Sequence, residues 1–303
     1  MVYKGPSRLG LADIPDLAFF RKYRHEDFFL QRDFAMIRKK KNIIEQVLVK
    51  GQAYRITEGR LLFLLGGYAR VAFDLMEYVI STRNIILLPP GTVIELLEVE
   101  EESEVAVIAA TEDFLNASTS DLWFGSHLSM SCPVFHTETE AEWNRLIDMV
   151  DLMWRIVNVK PFRKEVIEYL LKALLYEVRF MQDRTEKIHL QKLSHREVLF
   201  RRFIELVNIH CTKQRNVGFY ADKLCLTPRY LNTVVRQVSR SSVMDWVNQA
   251  VFLEAKILLR NRDLQIAEVA DRLHFPNSSF FCKFFKRMAG MTPLAYQRLD
   301  VNP

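Results

Sequence analysis

The chain has 303 residues, 49% apolar and 26% charged, with 42 Lys and Arg against 37 Asp and Glu for a formal net charge of +5. That length suits two ordinary domains, and the composition is globular, with no long disordered span. No run of 18 apolar residues and no leader pattern of basic stretch, apolar core and small-residue site occurs, so a cytoplasmic protein without a membrane partner is expected. Cys132, Cys211, Cys225 and Cys282 are scattered without a CxxC, which argues against a zinc site and a disulfide framework.

The first forty residues or so are ambiguous: Leu17–Tyr23 mixes apolar and basic residues, and the short cationic run Arg38–Lys41 reads as solvated surface. From about Ile43 to Thr111 the period is that of strands. Gln46–Val49, Ala53–Thr57, Arg60–Leu65, Ala69–Phe73, Glu77–Ser81, Ile85–Leu88, Thr92–Val99 and Glu104–Ala110 are β-rich runs between turn residues. Eight short strands at this spacing predict a small β-barrel or jelly roll. Tyr54, Arg55, Tyr68, Arg70, Phe73 and Tyr78 are candidate effector-binding residues, since aromatic walls with a few polar groups line small-molecule pockets. Packing explains the same six equally well. Glu95, Glu98 and Glu100–Glu102 read as a solvated strand edge and turn. No histidine lies between His25 and His127, so the imidazoles that hold a first-row metal are missing from this region. No metal, cofactor or catalytic residue is assigned, and the chain does not read as an enzyme.

From about Glu138 the period turns helical. Trp143, Leu146, Ile147, Val150 and Trp154 form one apolar stripe, and Phe162–Met181 carries a second through Val166, Tyr169 or Leu170, Ala173, Leu174 and Val178. Pro161 separates them, predicting a helical hairpin that covers the barrel. Asp183–Ser194 is polar and lysine-rich, without strong periodicity. The expected organisation is a barrel domain with its helices over 1–183, a linker over 184–194 and a helical domain over 195–303.

In that last domain one short pattern occurs twice. Tyr220-Ala221-Asp222-Lys223-Leu224 is echoed by Val269-Ala270-Asp271-Arg272-Leu273, and each copy runs through a turn into a second amphipathic helix. This is a helix-turn-helix, duplicated. Thr227 is placed to cap the first of these second helices with Pro228 at its first position, and Asn277 or Ser278 to cap the other. Leu231, Val234, Val235 and Val238 fall on one helical face; Arg229, Asn232, Thr233 and Arg236 fall on the other. In the second copy Phe280, Phe281, Phe284, Phe285 and Met288 read as the buried side, leaving Ser278, Ser279, Lys283, Lys286 and Arg287 outward. Short polar residues first and cations later suit a helix whose start meets base edges and whose later turns meet phosphate. Between the copies, Val243 to about Asn261 reads as one helix of roughly 28 Å. Such a strut would hold two reading helices close to one duplex turn, roughly 34 Å, apart. Charge agrees: from His195 onward 17 Lys and Arg oppose 9 Asp and Glu, net +8, leaving net −3 in the first 194 residues.

Phe219–Asp222, Leu226-Thr227-Pro228, Glu254-Ala255-Lys256 with Leu258-Leu259, Ile266–Ala270, Ser279-Phe280, Lys283–Lys286 and Gly290-Met291-Thr292-Pro293 with Tyr296 together resemble the DNA-binding domain of AraC/XylS-type transcription regulators. The resemblance runs from roughly Arg196 to Leu299 and implies seven helices in two subdomains. Two departures are His274 and Arg240, each where the family usually has a turn glycine, so any positive φ there must be borne by a bulkier residue. The resemblance implies that Arg229, Tyr230, Asn232, Thr233 and Arg236, and Ser278, Ser279, Lys283 and Lys286, approach double-stranded DNA. By side-chain chemistry Arg229 suits guanine and Asn232 adenine, while Arg236, Lys286 and Arg287, later on their helices, suit phosphate. In this family the usual N-terminal partner is a cupin-like effector-binding barrel, with dimerisation through its helices; RNA polymerase is a further possible partner. The expected function is a sequence-specific DNA-binding regulator, homodimeric and responsive to a small-molecule effector. Two alternatives stay open: a constitutive regulator whose barrel only dimerises, and a cupin-type enzyme carrying a DNA-targeting domain.

Overall fold

A computed structural model describes residues 8–12, 28–114, 133–192 and 194–298. Leu17–Tyr23 and Cys132 lie outside the described residues. The described chain divides into two units, one mainly of residues 8–73 and 77–189 and the other mainly of 190–303.

The first unit is built from eleven strands and three helices among the described residues. Strands β1 (Arg8–Leu9), β4 (Ala53–Ile56), β9 (Val93–Val99), β6 (Tyr68–Phe73) and β7 (Met76–Ser81) form one sheet, in that spatial order. Strands β11 (Val134–His136), β8 (Asn84–Leu88), β5 (Gly59–Gly66), β10 (Glu104–Ala110), β3 (Phe34–Lys41) and β2 (Phe28–Leu30) form another. The strands expected from Ala53 onward all form, but they do not close into a barrel. They make two sheets with separate edges, because pairings such as β5 with β10 and β4 with β9 are set across the chain and not by local pattern.

The six-stranded sheet is covered on both faces. Phe34, Met36, Leu61, Phe63, Ile85 and Ile108 point into a core completed by α2 (Glu140–Val157) and α3 (Lys164–Lys192), through side chains such as Trp143, Leu146, Leu171 and Leu174. From the opposite face Leu64, Ile86, Leu88 and Val105 meet Tyr54, Ile56, Val71 and Leu96 of the five-stranded sheet. Burial on both faces explains near-continuous apolar runs such as Leu61–Leu65. The helical hairpin is thus present and covers this sheet, but through Ile167, Leu171, Leu174, Leu175 and Val178 of α3, while Val166, Tyr169 and Ala173 of the expected stripe are exposed. At the β5–β6 turn Gly67 has φ +86°, and a Cβ there would lie 2.8 Å from the Ser103 Cα, so only glycine fits.

Two local expectations differ. Gln46–Val49 was expected as a strand, but Ile43–Val47 forms the short helix α1; Ile43 and Leu48 are buried, and the Leu48 N–H closes a helical bond to the Ile44 carbonyl. Its β-branched content is outweighed by this burial. The stretch from Asp183 continues α3 as far as Lys192; Arg, Glu, Lys and Gln are good helix formers without an apolar stripe, and Arg179 pairs with Asp183 one turn on at 3.1 Å. Within the cationic run, Arg38 donates twice to Asp151 of α2, at 2.6 and 2.8 Å, tying β3 to that helix.

Helix α2 opens on a capping box: Glu142 N–H donates to Thr139 Oγ1, and Thr139 N–H donates to the Glu142 carboxylate. Arg184 of α3 donates to both Glu142 oxygens at 2.8 and 3.1 Å. This pair holds the Glu142 carboxyl down at about 2.

The second unit contributes seven helices among the described residues: α4 (His195–His210), α5 (Val217–Lys223), α6 (Pro228–Ser239), α7 (Val243–Leu259), α8 (Ile266–Arg272), α9 (Ser278–Ala289) and α10 (Pro293–Arg298). Helix α7 is the expected strut, opened by a Ser242–Asp245 capping box and roughly 25 Å long. The two turn glycines that the chain lacks are replaced without loss of geometry. Arg240 at φ 61° ends α6 as Gly290 at φ 74° ends α9, each N–H bonding the carbonyl four residues back at 2.9 Å. Cys225 at φ 56° and His274 at φ 54° hold corresponding positions in the two helix-turn-helix turns. Among the described residues no helix is long and apolar enough to cross a membrane.

Two predictions follow from this geometry. A carboxyl with a depressed pKa stabilises the fold above its unfolded pKa near 4.5, and this is lost as pH falls toward about 2. Glu142→Gln keeps the capping box and removes the charge, so at pH 7 it should cost about 1 kcal/mol, reduced from a fully buried pair because Arg184 is partly exposed. Thermal midpoints of the two proteins should converge between pH 4.5 and 2; a gap independent of pH would show that the charge contributes nothing. Arg240→Gly relieves a left-handed residue and should raise stability by about 0.5–1 kcal/mol in a melting experiment, where an unchanged or lower midpoint would contradict the cost assigned to Arg240.

Candidate nucleic-acid interface

The two helices α6 and α9 are the same device built twice. Thr227 Oγ1 accepts from Tyr230 N–H at 3.2 Å at the start of α6, and Asn277 Oδ1 accepts from Phe280 N–H at 3.1 Å at the start of α9. The turns close alike, with Leu226 N–H on the Ala221 carbonyl and Phe275 N–H on the Ala270 carbonyl, both at 2.9 Å. From Leu231 to Arg240 and from Phe281 to Gly290 the sequence of buried, half-buried and exposed positions is the same, residue for residue. Leu231, Val234 and Val235 bury the inner face of α6; Phe281, Phe284 and Phe285 bury that of α9.

The outward faces carry most of the expected residues. Arg229, Tyr230, Thr233 and Arg236 are exposed on α6, and Ser278, Ser279, Lys283, Lys286 and Arg287 on α9. The structure therefore brings these into two clusters, each on the first three turns of its helix. Thr233 Oγ1 donates to the Arg229 carbonyl at 3.0 Å, which fixes its methyl and hydroxyl against its own helix. Asn232 is different. It is half-buried, and its Oδ1 accepts from Val243 N–H at 3.3 Å, so its carboxamide ties α6 to the start of the strut. A bidentate contact to adenine needs that oxygen, and Asn232 would have to release α7 to make one.

The duplication also shows what the linear pattern missed. Phe280, expected on the buried side of α9, is 58% exposed; it corresponds to Tyr230, which is 43% exposed. One aromatic ring thus stands outward in the first turn of each helix. Gln237 is exposed and corresponds to Arg287. The signal for both was the fifty-residue offset between the two copies, which pairs position with position more reliably than either helix's own periodicity. Phe280, Lys283 and Arg287 also line a cleft of about 400 Å³ floored by Phe275 and Phe284.

The six candidate effector residues do not form one group: Tyr54, Phe73 and Tyr78 share the core between the sheets, and Arg55, Tyr68 and Arg70 lie on the opposite faces of their strands. On β6 the side chains alternate, so Tyr68 and Arg70 lie on the face opposite Phe73. Arg70 pairs with Glu77 at 3.4 Å and Glu98 at 3.6 Å. Tyr54 is buried, its hydroxyl donating to Gln52 and accepting from Val49 N–H, both at 3.1 Å, while Arg55 on the other face donates to the Gly91 carbonyl at 2.6 Å. The Phe73 and Tyr78 rings lie 5.5 Å apart, tilted by 36°, within the core between the sheets. A cavity of about 90 Å³ does lie between the two sheets and α1, lined by Met36, Ile44, Val47, Leu62, Val107 and Arg60 among others, and by none of the six.

Comparison with known proteins bears on the second unit. A helix-turn-helix domain family model matches residues 220–299. The regulatory protein PocR of Salmonella typhimurium is 24% identical over 173 residues, 55% of this chain and 54% of that protein. The HTH-type transcriptional activator RhaR of Yersinia pestis is 31% identical over 140 residues, 44% of this chain and 45% of that protein. The matched regions span about half the length of these curated relatives. Among solved structures, ToxT of Vibrio cholerae is similar at 14% identity over 90% of this chain and 100% of that one, with a TM-score of 0.39. With the duplicated motif and its matching turns, the family model and these relatives show that residues 220–299 form a helix-turn-helix domain of the AraC/XylS type of transcription regulators.

Proposed function

We propose that this protein is a sequence-specific DNA-binding transcription regulator that lays α6 and α9 in successive major grooves. The observation that carries this is the repeated burial pattern, which leaves short polar, aromatic and cationic side chains outward on two helices joined by one strut. On this reading Arg229 and Tyr230 at the start of α6, and Ser278, Ser279 and Phe280 at the start of α9, face base edges. Arg236, Lys283, Lys286 and Arg287 neutralise phosphate, Thr233 flanks them, and Asn232 positions α6. The RhaR relative carries the name of a transcriptional activator. Contact with RNA polymerase belongs to the same proposal.

The first unit is, in this reading, a cupin-type sensor and dimerisation domain over 1–183, joined through 184–194 to the DNA-binding domain over 195–303. The inter-sheet cavity supports effector control. At about 90 Å³ it admits a small, mainly apolar group and is far below the few hundred Å³ of a drug-sized site. Self-association is supported by α3, where Val166, Tyr169, Ala173, Tyr176 and Phe180 are exposed at alternating spacings of three and four. That is a heptad seam on the side of α3 away from its buried face, and a second copy of the helix is the partner that such a period fits. A constitutive regulator with only the dimerising role is the second reading, and it is favoured by the smallness of the cavity. The family is one of regulators and not of enzymes, and no cofactor or metal enters the proposal.

Selection of bound sequences from random duplex DNA by the full-length protein tests the reading. Two short boxes about one turn apart, with that pair itself repeated, are expected for a homodimer using both motifs; no enriched sequence would end the proposal. Arg229→Ala should lose about 1–3 kcal/mol of discrimination at one operator position, whereas equal weakening on all sequences would make Arg229 a phosphate contact. Lys286→Ala should flatten the slope of log K against log salt by about one unit, and an unchanged slope would remove Lys286 from the interface.

A further inference from the structure

Two reading helices joined only by a strut could be swung relative to each other by any flexing of α7. In this protein the joint is reinforced. Phe284 of α9 belongs to the core of the first subdomain, with Phe203, Tyr220, Leu231 and Val247. Phe252 and Phe275 pack against that core and against the second one, which holds Val269, Phe281 and Phe285. Phe275, the residue that closes the second helix-turn-helix turn, stands 5.2 Å from Phe284 and 5.3 Å from Phe281.

A cation from the first subdomain grips this turn. Arg215 lies in the loop between α4 and α5, next to Asn216, which caps α5 by accepting from Gly218 N–H at 2.8 Å. Its position is held from behind, because the buried Tyr220 hydroxyl donates to the neighbouring Gln214 carbonyl at 2.6 Å. The Arg215 guanidinium lies over the Phe275 ring, 3.9 Å from its centre, and Nη2 donates to the Leu273 carbonyl. That carbonyl ends α8, where no further helical N–H is available, and the next residue is the left-handed His274. A planar guanidinium stacks and donates at once, which lysine does less well.

We propose that Arg215 is a positioning residue that fixes the separation and angle of α6 and α9, and thereby the spacing between the two DNA boxes that the protein accepts. The inference rests on the reading that both helices meet DNA. Two linked modules gain from joint binding only when their geometry matches the spacing of their targets, so a rigid joint concentrates affinity in one spacing. Arg215 also shares its cleft with Lys283 and Arg287, which makes a direct phosphate contact the competing account.

The test is binding of the full-length protein to duplexes that carry both boxes at spacings varied one base pair at a time, and to duplexes with either box alone. Arg215→Met keeps the aliphatic stem and removes charge and donors. It should leave single-box affinity unchanged, lower two-box affinity at the preferred spacing by roughly tenfold, and flatten the preference over neighbouring spacings. A spacing profile like that of the unmodified protein would overturn the inference. Equal losses on single boxes, with a salt slope shallower by about one, would overturn it in favour of phosphate contact. Should the Met variant not fold, Arg215→Lys decides: a flattened profile supports the inference and an unaltered one overturns it. Failure of the unmodified protein to bind any two-box duplex would instead remove the DNA-reading proposal beneath it.

Discussion

Three buried side chains on each of two helices govern the C-terminal domain. Leu231, Val234 and Val235 in α6, and Phe281, Phe284 and Phe285 in α9, occupy positions i, i+3 and i+4, so burying them fixes the rotation of each helix about its axis. Everything outward is set by that rotation: Arg229, Thr233 and Arg236 stand on one side because their neighbours are locked on the other. The caps at Thr227 and Asn277 then fix where each helix starts, and the left-handed residues Cys225 and His274 fix the angle at which it leaves its turn. Surface chemistry in this domain is therefore a consequence of its cores, and the same core in two copies yields the same display twice.

The N-terminal unit obeys a different constraint. Its six-stranded sheet buries both faces, one against α2 and α3 and one against the five-stranded sheet, so apolar side chains are needed at nearly every position of β5 and β8. Polar groups are pushed to the margins, where Arg38 meets Asp151, Arg70 meets Glu77 and Glu98, and Arg184 meets Glu142. A layered arrangement like this leaves little room inside, which accounts for the small size of the inter-sheet cavity and for its apolar walls.

The same physics explains which residues were legible in advance. The Thr-Pro helix start, the duplicated turn, the strut and most outward cations of α6 and α9 depend on neighbours within about a turn of helix, and local sequence encodes them directly. Phe280 reads as buried because a run of aromatics satisfies the helical period on more than one face; its exposure emerges only when α9 is docked. Asn232 reads as a base contact by chemistry alone, yet its oxygen accepts from Val243, a partner brought near by the turn after Arg240. The six aromatic and arginine candidates of the sheets do not line one wall for a simpler reason: successive residues of a strand point to opposite faces, so Tyr68 lies across the sheet from Phe73.

By itself the sequence determined the strand-rich and helical segments and the paired helix-turn-helix motifs, since each is written in short-range periodicity, caps and turn residues. Only the tertiary structure decided that the strands form two sheets and not a closed barrel, that Ile43–Val47 is helical, that Arg240 and His274 bear a left-handed backbone, and that Arg215 reaches Phe275 and Leu273. Those outcomes depend on contacts between residues tens of positions apart. The free energy of such contacts comes from surfaces that exist only once both partners are folded, and no local pattern carries it.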